Sequence, residues 1–214
     1  MPAIPRRAGH VASAVTRQSF DFGDGLVRAA RHNNADGSTG GWVADTAHVD
    51  DGAFLAPDAR VYGNARVFGD AQVLDSAMVF DNAKVGDGAR VMGRAHVYGA
   101  AYVDGSTVSG VARVLGMAQV SHGGIVTDQA RVNGEAKVRG GRVAGRVSVK
   151  GRAWVNGAHV DGDRVIDGDT VLRAEAGHAA GDQSDIDLRD EDLLIDSLAA
   201  IDSDLFSLPQ PTMA

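Results

Sequence analysis

Four histidines are the residues of this chain best equipped for chemistry. His48, His96 and His159 each stand directly before a Val, and His122 lies in the run Ser121-His122-Gly123-Gly124. A neutral imidazole can ligate zinc or accept a proton as a general base. Zinc needs several ligands on neighbouring elements, however. His48, His96 and His159 are separated by 48 and 63 residues, neither a multiple of the 18-residue period developed below, and Met117 and Thr127 stand five residues either side of His122. The expectation is therefore no metal and no cofactor, with solvated corner histidines. His96 and His122 remain the candidate bases should the chain be an enzyme. The sequence has no Cys, which excludes disulfides, thiolate metal sites and thiolate nucleophiles. Its 28 Gly form no phosphate-loop or dinucleotide fingerprint in a strand-to-helix setting.

What positions these residues is a repeat. From Val43 to Val103 every sixth residue is Val, except Leu55, and the residue four after each anchor, from Ala47 to Ala101, is Ala. The frame slips by one residue at Val108, runs in sixes from Val114 to Val138 and slips again at Val143. It then passes Val149 and Val155 and is read through Val160, Val165 and Val171. In an extended chain, residues an even number apart point the same way, so the anchor and the Ala four later share the inner side. The Gly, Asp and Asn between them tolerate positive φ and turn the chain. Each unit reads as a short strand and a corner. Three units close a coil, and coils stacked at about 4.8 Å satisfy one another's backbone groups. The predicted fold is all-β: a single-stranded parallel β-helix solenoid of about seven coils. A β-sandwich would not keep a six-residue phase.

The run ARVYGNARVFGDAQVLDSAMVFDNAKVGDGARVMGRAHVYG resembles the hexapeptide repeat of the left-handed parallel β-helix superfamily, over residues 43–171. The resemblance implies left-handed coiling, against the right-handed preference of ordinary crossovers. It is specific for fold and weakly specific for function. The superfamily includes acyl- and nucleotidyl-sugar-linked transferases, γ-class carbonic anhydrases, and bacterial and phage-associated repeat proteins without assigned chemistry. The Gly-x-Ala-x-Val version, led in by Gly40-Gly41-Trp42-Val43, is most similar to the last group. A carbonic anhydrase of this kind would stack histidines at a subunit interface. A transferase would extrude a loop over its acyl carrier, and the unbroken frame leaves no such loop.

On the outside, the position after the anchor on the first side reads Ala44, Tyr62, Phe80, Tyr98, Leu115, Asn133, Lys150. Tyr62, Phe80, Tyr98 and Leu115 thus form one apolar column, the mark of a contact surface. Leu74 and Met92 lie on another side, and Asn64 and Asn82 share a column in which amides can bond along the stack. Outward Thr is too scattered for an ice-binding array.

The expected organisation is a disordered segment 1–18, an N-terminal hairpin cap and linker 19–42, the β-helix 43–172, a linker 173–189, a C-terminal acidic amphipathic helix 190–206 and a disordered tail 207–214. On that helix Leu194, Leu198, Ile201 and Leu205 follow helical spacing. Residues 182–204 hold nine acids against one base, out of 28 acids and 21 bases in all, so the remainder is nearly neutral. That argues against a nucleic-acid partner, and no apolar run is long enough to span a membrane. Neither the start of the chain nor its interior reads as a signal peptide, which gives a cytoplasmic expectation. The functional expectation is a non-catalytic structural and interaction protein: a self-associating homo-oligomeric rod that offers its apolar column and acidic helix to protein partners. The alternative is a trimeric hexapeptide-repeat acyltransferase with His96 or His122 as an interfacial base.

Overall fold

The computed structural model describes residues 17–174. Residues 1–16 and the segments beyond 174, including 190–206 with Leu194, Leu198, Ile201 and Leu205, lie outside the described residues. No helix among the described residues is long and apolar enough to cross a membrane.

The repeat folds as a parallel β-solenoid. Its strands form three sheets of ten, eight and seven members, so the third sheet counts seven coils. Each anchor pairs with the anchor one coil later. Val61 lies beside Val79, Val79 beside Val97, and Val97 beside Val114. The sheets close because the strand residues flanking each anchor donate to the next coil, as in Arg60 N to Ala77 O and Tyr62 N to Val79 O, both 3.1 Å. The anchors and the small residues four later are the core; Val61, Ala65, Val67, Ala71, Val85 and Ala89 are fully buried. Apolar burial drives the coil shut, and the narrow interior explains why Ala rather than a larger residue recurs there.

Three anchor steps span five residues: Val103 to Val108, Val138 to Val143 and Val155 to Val160. All three fall at the corner between the second and third sheets. The shortened corner leaves no space for a side chain at Gly141, where a Cβ would stand 2.6 Å from the Ala158 carbonyl oxygen. At the C-terminal end the structure corrects the sequence frame. The anchors after Val160 are Ile166 and Leu172, not Val165 and Val171. Ile166 pairs with Val149 and Leu172 with Val155. Val165 is 66% exposed and Ile166 8%. The backbone ladder sets this register, and it places the second of two adjacent aliphatics inside.

Among the described residues, five other than Gly have positive φ: Asp75, Asp81, Asp87, His122 and Asp128. In each case the equivalent place one coil later holds Gly. Three of the carboxylates use that neighbour, accepting the amide N–H of Gly93 (Asp75, 2.8 Å), Gly99 (Asp81, 3.1 Å) and Gly145 (Asp128, 3.0 Å). The strain of a left-handed corner is thus offset by a charge-assisted bond between coils.

Before the first coil, β1 (Gln18–Asp21) pairs antiparallel with β2 (Leu26–Asn33), and β2 pairs antiparallel with β3 (Thr39–Ala44), the first strand of the solenoid. Asn34, 4% exposed, follows β2. Its side-chain amide donates to Leu55 O at 3.0 Å and accepts from Leu55 N at 2.9 Å. One side chain thereby replaces the missing neighbour strand at the outer edge of the third sheet. Arg31 donates to Pro57 O at 2.7 Å beside it, and His32 Nε2 lies 3.2 Å from Ala53 O.

Two stability outcomes follow. Ala71→Leu or Ala89→Leu should cost about 1–3 kcal/mol or more, because neither site can repack. Asn34→Ala should cost about 1–3 kcal/mol by stranding the Leu55 amide and carbonyl. Urea unfolding reads all three, and unchanged midpoints would contradict the inner assignment and the edge closure respectively.

Candidate interaction face

The first sheet carries the most ordered side-chain array outside the core. Each strand offers one outward residue before its anchor and one after it. The residues after the anchor lie over one another because the backbone ladder fixes the register. Tyr62 and Phe80 stack at 4.8 Å with ring planes 3° apart, and Phe80 and Tyr98 at 4.7 Å and 4°. Leu115 continues the column on the next rung, where Tyr98 N donates to Val114 O. Ring faces are therefore turned toward each other and half-buried, and ring edges face outward. Such parallel, offset pairs add about 0.5–1.5 kcal/mol beyond the area they bury. Asn64 and Asn82 do meet across a coil, Nδ2 to Oδ1 at 3.4 Å.

Sequence reasoning did not foresee how far the column reaches. Ala44 occupies the column position on the first coil, and its small side chain leaves room for Phe22, which is 5% exposed. Phe22 stacks on Tyr62 at 4.8 Å, Phe20 meets Phe22 edge-on at 4.8 Å, and Phe20 stacks on Trp42 at 4.4 Å. Arg60 lies over Phe20 at 5.6 Å and Arg31 over Trp42 at 5.0 Å. Six rings thus run without a break from the N-terminal strands into the solenoid. The available signal was the lone small residue, Ala44, at the head of an aromatic column, with two Phe upstream in the expected cap.

The residues before the anchor on the same sheet include Arg60, Met78, His96, Arg113 and Arg131. His96 stands edge-on to Phe80 at 6.2 Å. Its pKa lies below the ordinary histidine value, first because of burial and then because Arg113 and Arg94 oppose a further positive charge.

The histidines do not gather. His48, His96 and His159 stand on the second, first and third sheets. His48 pairs with Asp50 at 2.9 Å. His122 occupies the corner between the second and third sheets, its Nε2 3.2 Å from Arg139 Nη2. At that corner burial raises the Asp104 pKa, the neighbouring Asp87 raises it further, and His122 acts in the opposite sense. No cluster of three His, Asp or Glu placed to hold a metal occurs among the described residues. The second sheet has an open groove of about 890 Å³ lined by His48, Arg66, Phe68, Lys84 and Tyr102. Phe68 packs against Gly86, where any Cβ would stand 2.0 Å from the ring. The groove is exposed, and no nucleophile and base pair converge in it.

No protein-family model matches the chain, and no curated protein matches it.

The His96 environment makes a pH prediction. The folded chain disfavours imidazolium relative to the unfolded chain, so the His96 contribution is complete above the ordinary pKa of 6.5 and is lost as pH falls below it. Replacing His96 with Gln should flatten that part of the stability profile. Denaturant midpoints measured across this range decide it; equal slopes in parent and His96→Gln would contradict the described environment.

Proposed function

We propose that this chain is a non-catalytic structural and interaction protein, a hexapeptide-repeat β-helix rod of the left-handed kind whose copies associate through the ring column of the first sheet. The handedness and the hexapeptide assignment rest on the repeat resemblance. The functional reading rests on one observation: Tyr62, Phe80 and Tyr98 form an ordered apolar column that is half-exposed rather than sealed in the core. Preordered rings lose little side-chain entropy on contact, which favours association. The acidic segment 190–206, with Leu194, Leu198, Ile201 and Leu205, is in this reading a second recognition element for a protein partner.

A second reading keeps one observation in its favour. His96 is held toward its neutral form, as a base must be, and the transferase alternative would use it between subunits. Its arginine neighbours and the absence of an extruded loop between residues 43 and 172 weigh for the rod.

The test is hydrodynamic. Phe80→Glu with Tyr98→Glu should leave circular dichroism intact, because both side chains point outward, while the mass seen by light scattering falls to that of one chain. An assembly whose mass is unaffected by the double substitution would sink association through the column. Loss of a biological activity in a folded His96→Gln, His122→Gln variant would instead favour the transferase.

A further inference from the structure

We propose that the C-terminal half of the first face, where Arg113 and Arg131 stand beside Tyr98 and Leu115, docks an acidic polypeptide segment that also carries apolar side chains. The inference rests on reading the first sheet as a contact surface and names the chemistry of what it contacts.

Three observations carry it. First, His96, Arg113 and Arg131 occupy the same outward position on three consecutive rungs, one strand spacing apart. Like charges in directly neighbouring sheet positions destabilise, and Arg94 adds a further cation close enough to oppose protonation of His96.

Second, among the described residues the fold neutralises some of its bases and leaves others, these among them, without an ion pair. Arg146, Lys150 and Arg152 pair with Asp163, Asp167 and Asp169 one coil on. None of the ion pairs among the described residues involves Arg94, Arg113 or Arg131. The outward strand positions of the first sheet from Met78 to Asn133 contain no carboxylate. Of the flanking corner acids, Asp75, Asp81 and Asp128 are engaged with the amides of Gly93, Gly99 and Gly145, and Glu135 stands exposed at the corner after Asn133.

Third, the cations stand next to an apolar column. Arg and Tyr side by side, with an aliphatic neighbour, is the composition of energetically dominant protein contacts.

A phosphodiester polymer fits less well. Base stacking needs exposed ring faces, and here ring faces cover one another. A phosphate backbone also gains nothing from Leu115. An acidic polypeptide supplies carboxylates for the arginines and apolar groups for the column. A second copy presenting the same half-face would oppose arginine to arginine, so this half favours an occupant that carries carboxylates instead.

The test uses the full chain and a short fluorescein-labelled peptide of alternating Glu and Leu, followed by fluorescence anisotropy at near-physiological salt. Saturable binding is expected. Arg113→Glu with Arg131→Glu, shown to be folded by circular dichroism, should weaken it about tenfold or more, as loss of paired charge contacts does. Lys137→Glu with Arg142→Glu makes the same charge change on the other two sheets and should leave affinity nearly unchanged. No saturable binding by the parent chain, or equal losses in the two variants, would overturn the proposal. So would single-stranded DNA that binds more tightly through the same arginines. A chain that binds the peptide yet stays monomeric in light scattering would support the docking and remove only self-association.

Discussion

Every feature of this molecule depends on the hydrogen bonding of each coil to the next, one strand spacing away. That ladder places each residue over the one 17 or 18 positions later, as the pairs Val97–Val114 and Val79–Val97 show. The ring centroids stand 4.7–4.8 Å apart because the backbones beneath them do, the spacing of strands in any sheet being about 4.7–4.9 Å. The same register brings a corner carboxylate such as Asp75 under the amide of Gly93. It also allows only small groups such as Ala71 and Ala89 inside, since the interior of a coil this short is narrow. Backbone geometry sets the distances, and side chains are chosen to fit them.

A ladder of this kind has to stop, and the stops are where the chain leaves its repeat. At the N-terminal end a single amide, that of Asn34, serves as the neighbour strand for Leu55. Leaving those two groups buried and unpaired would cost free energy comparable to the hydrogen bonds themselves. An open edge would also invite pairing with another chain. Phe22 performs the corresponding service for the ring column, filling the space that Ala44 leaves. The last coils keep the ladder but change the anchors to Ile166 and Leu172.

The solenoid was legible in the sequence because its interactions are periodic. A Val every six residues and an Ala four later identify an inner side without knowledge of any distant contact, and the column of Tyr62, Phe80, Tyr98 and Leu115 follows by counting. Contacts that are not periodic were not legible. Nothing in the spacing of Phe20 and Phe22 says that they join a column starting some 40 residues later, and Asn34 looks like any polar residue of a linker. Val165-Ile166 and Val171-Leu172 misled for a different reason. Two adjacent aliphatics satisfy the pattern equally well, and the choice between them is made by hydrogen-bond register. Phe68 against Gly86 is similar: the missing side chain is visible in the sequence, and the ring that uses the space is not.

A fold of this type hosts unrelated functions, so the functional account has to stand on the surface. Its central claim is that the ring column of the first sheet, beyond bracing its own coils, is the contact face of the molecule. Oxidative footprinting read by mass spectrometry tests this most directly, with the full chain compared at dilute and concentrated conditions. Tyr62, Phe80 and Tyr98 should lose reactivity as concentration rises, while Tyr102 on the second sheet serves as an internal reference and holds constant. Reactivity that is independent of concentration at all four residues, or protection that falls on Tyr102 instead, would contradict the account and leave the stacked rings as a brace for the coils alone.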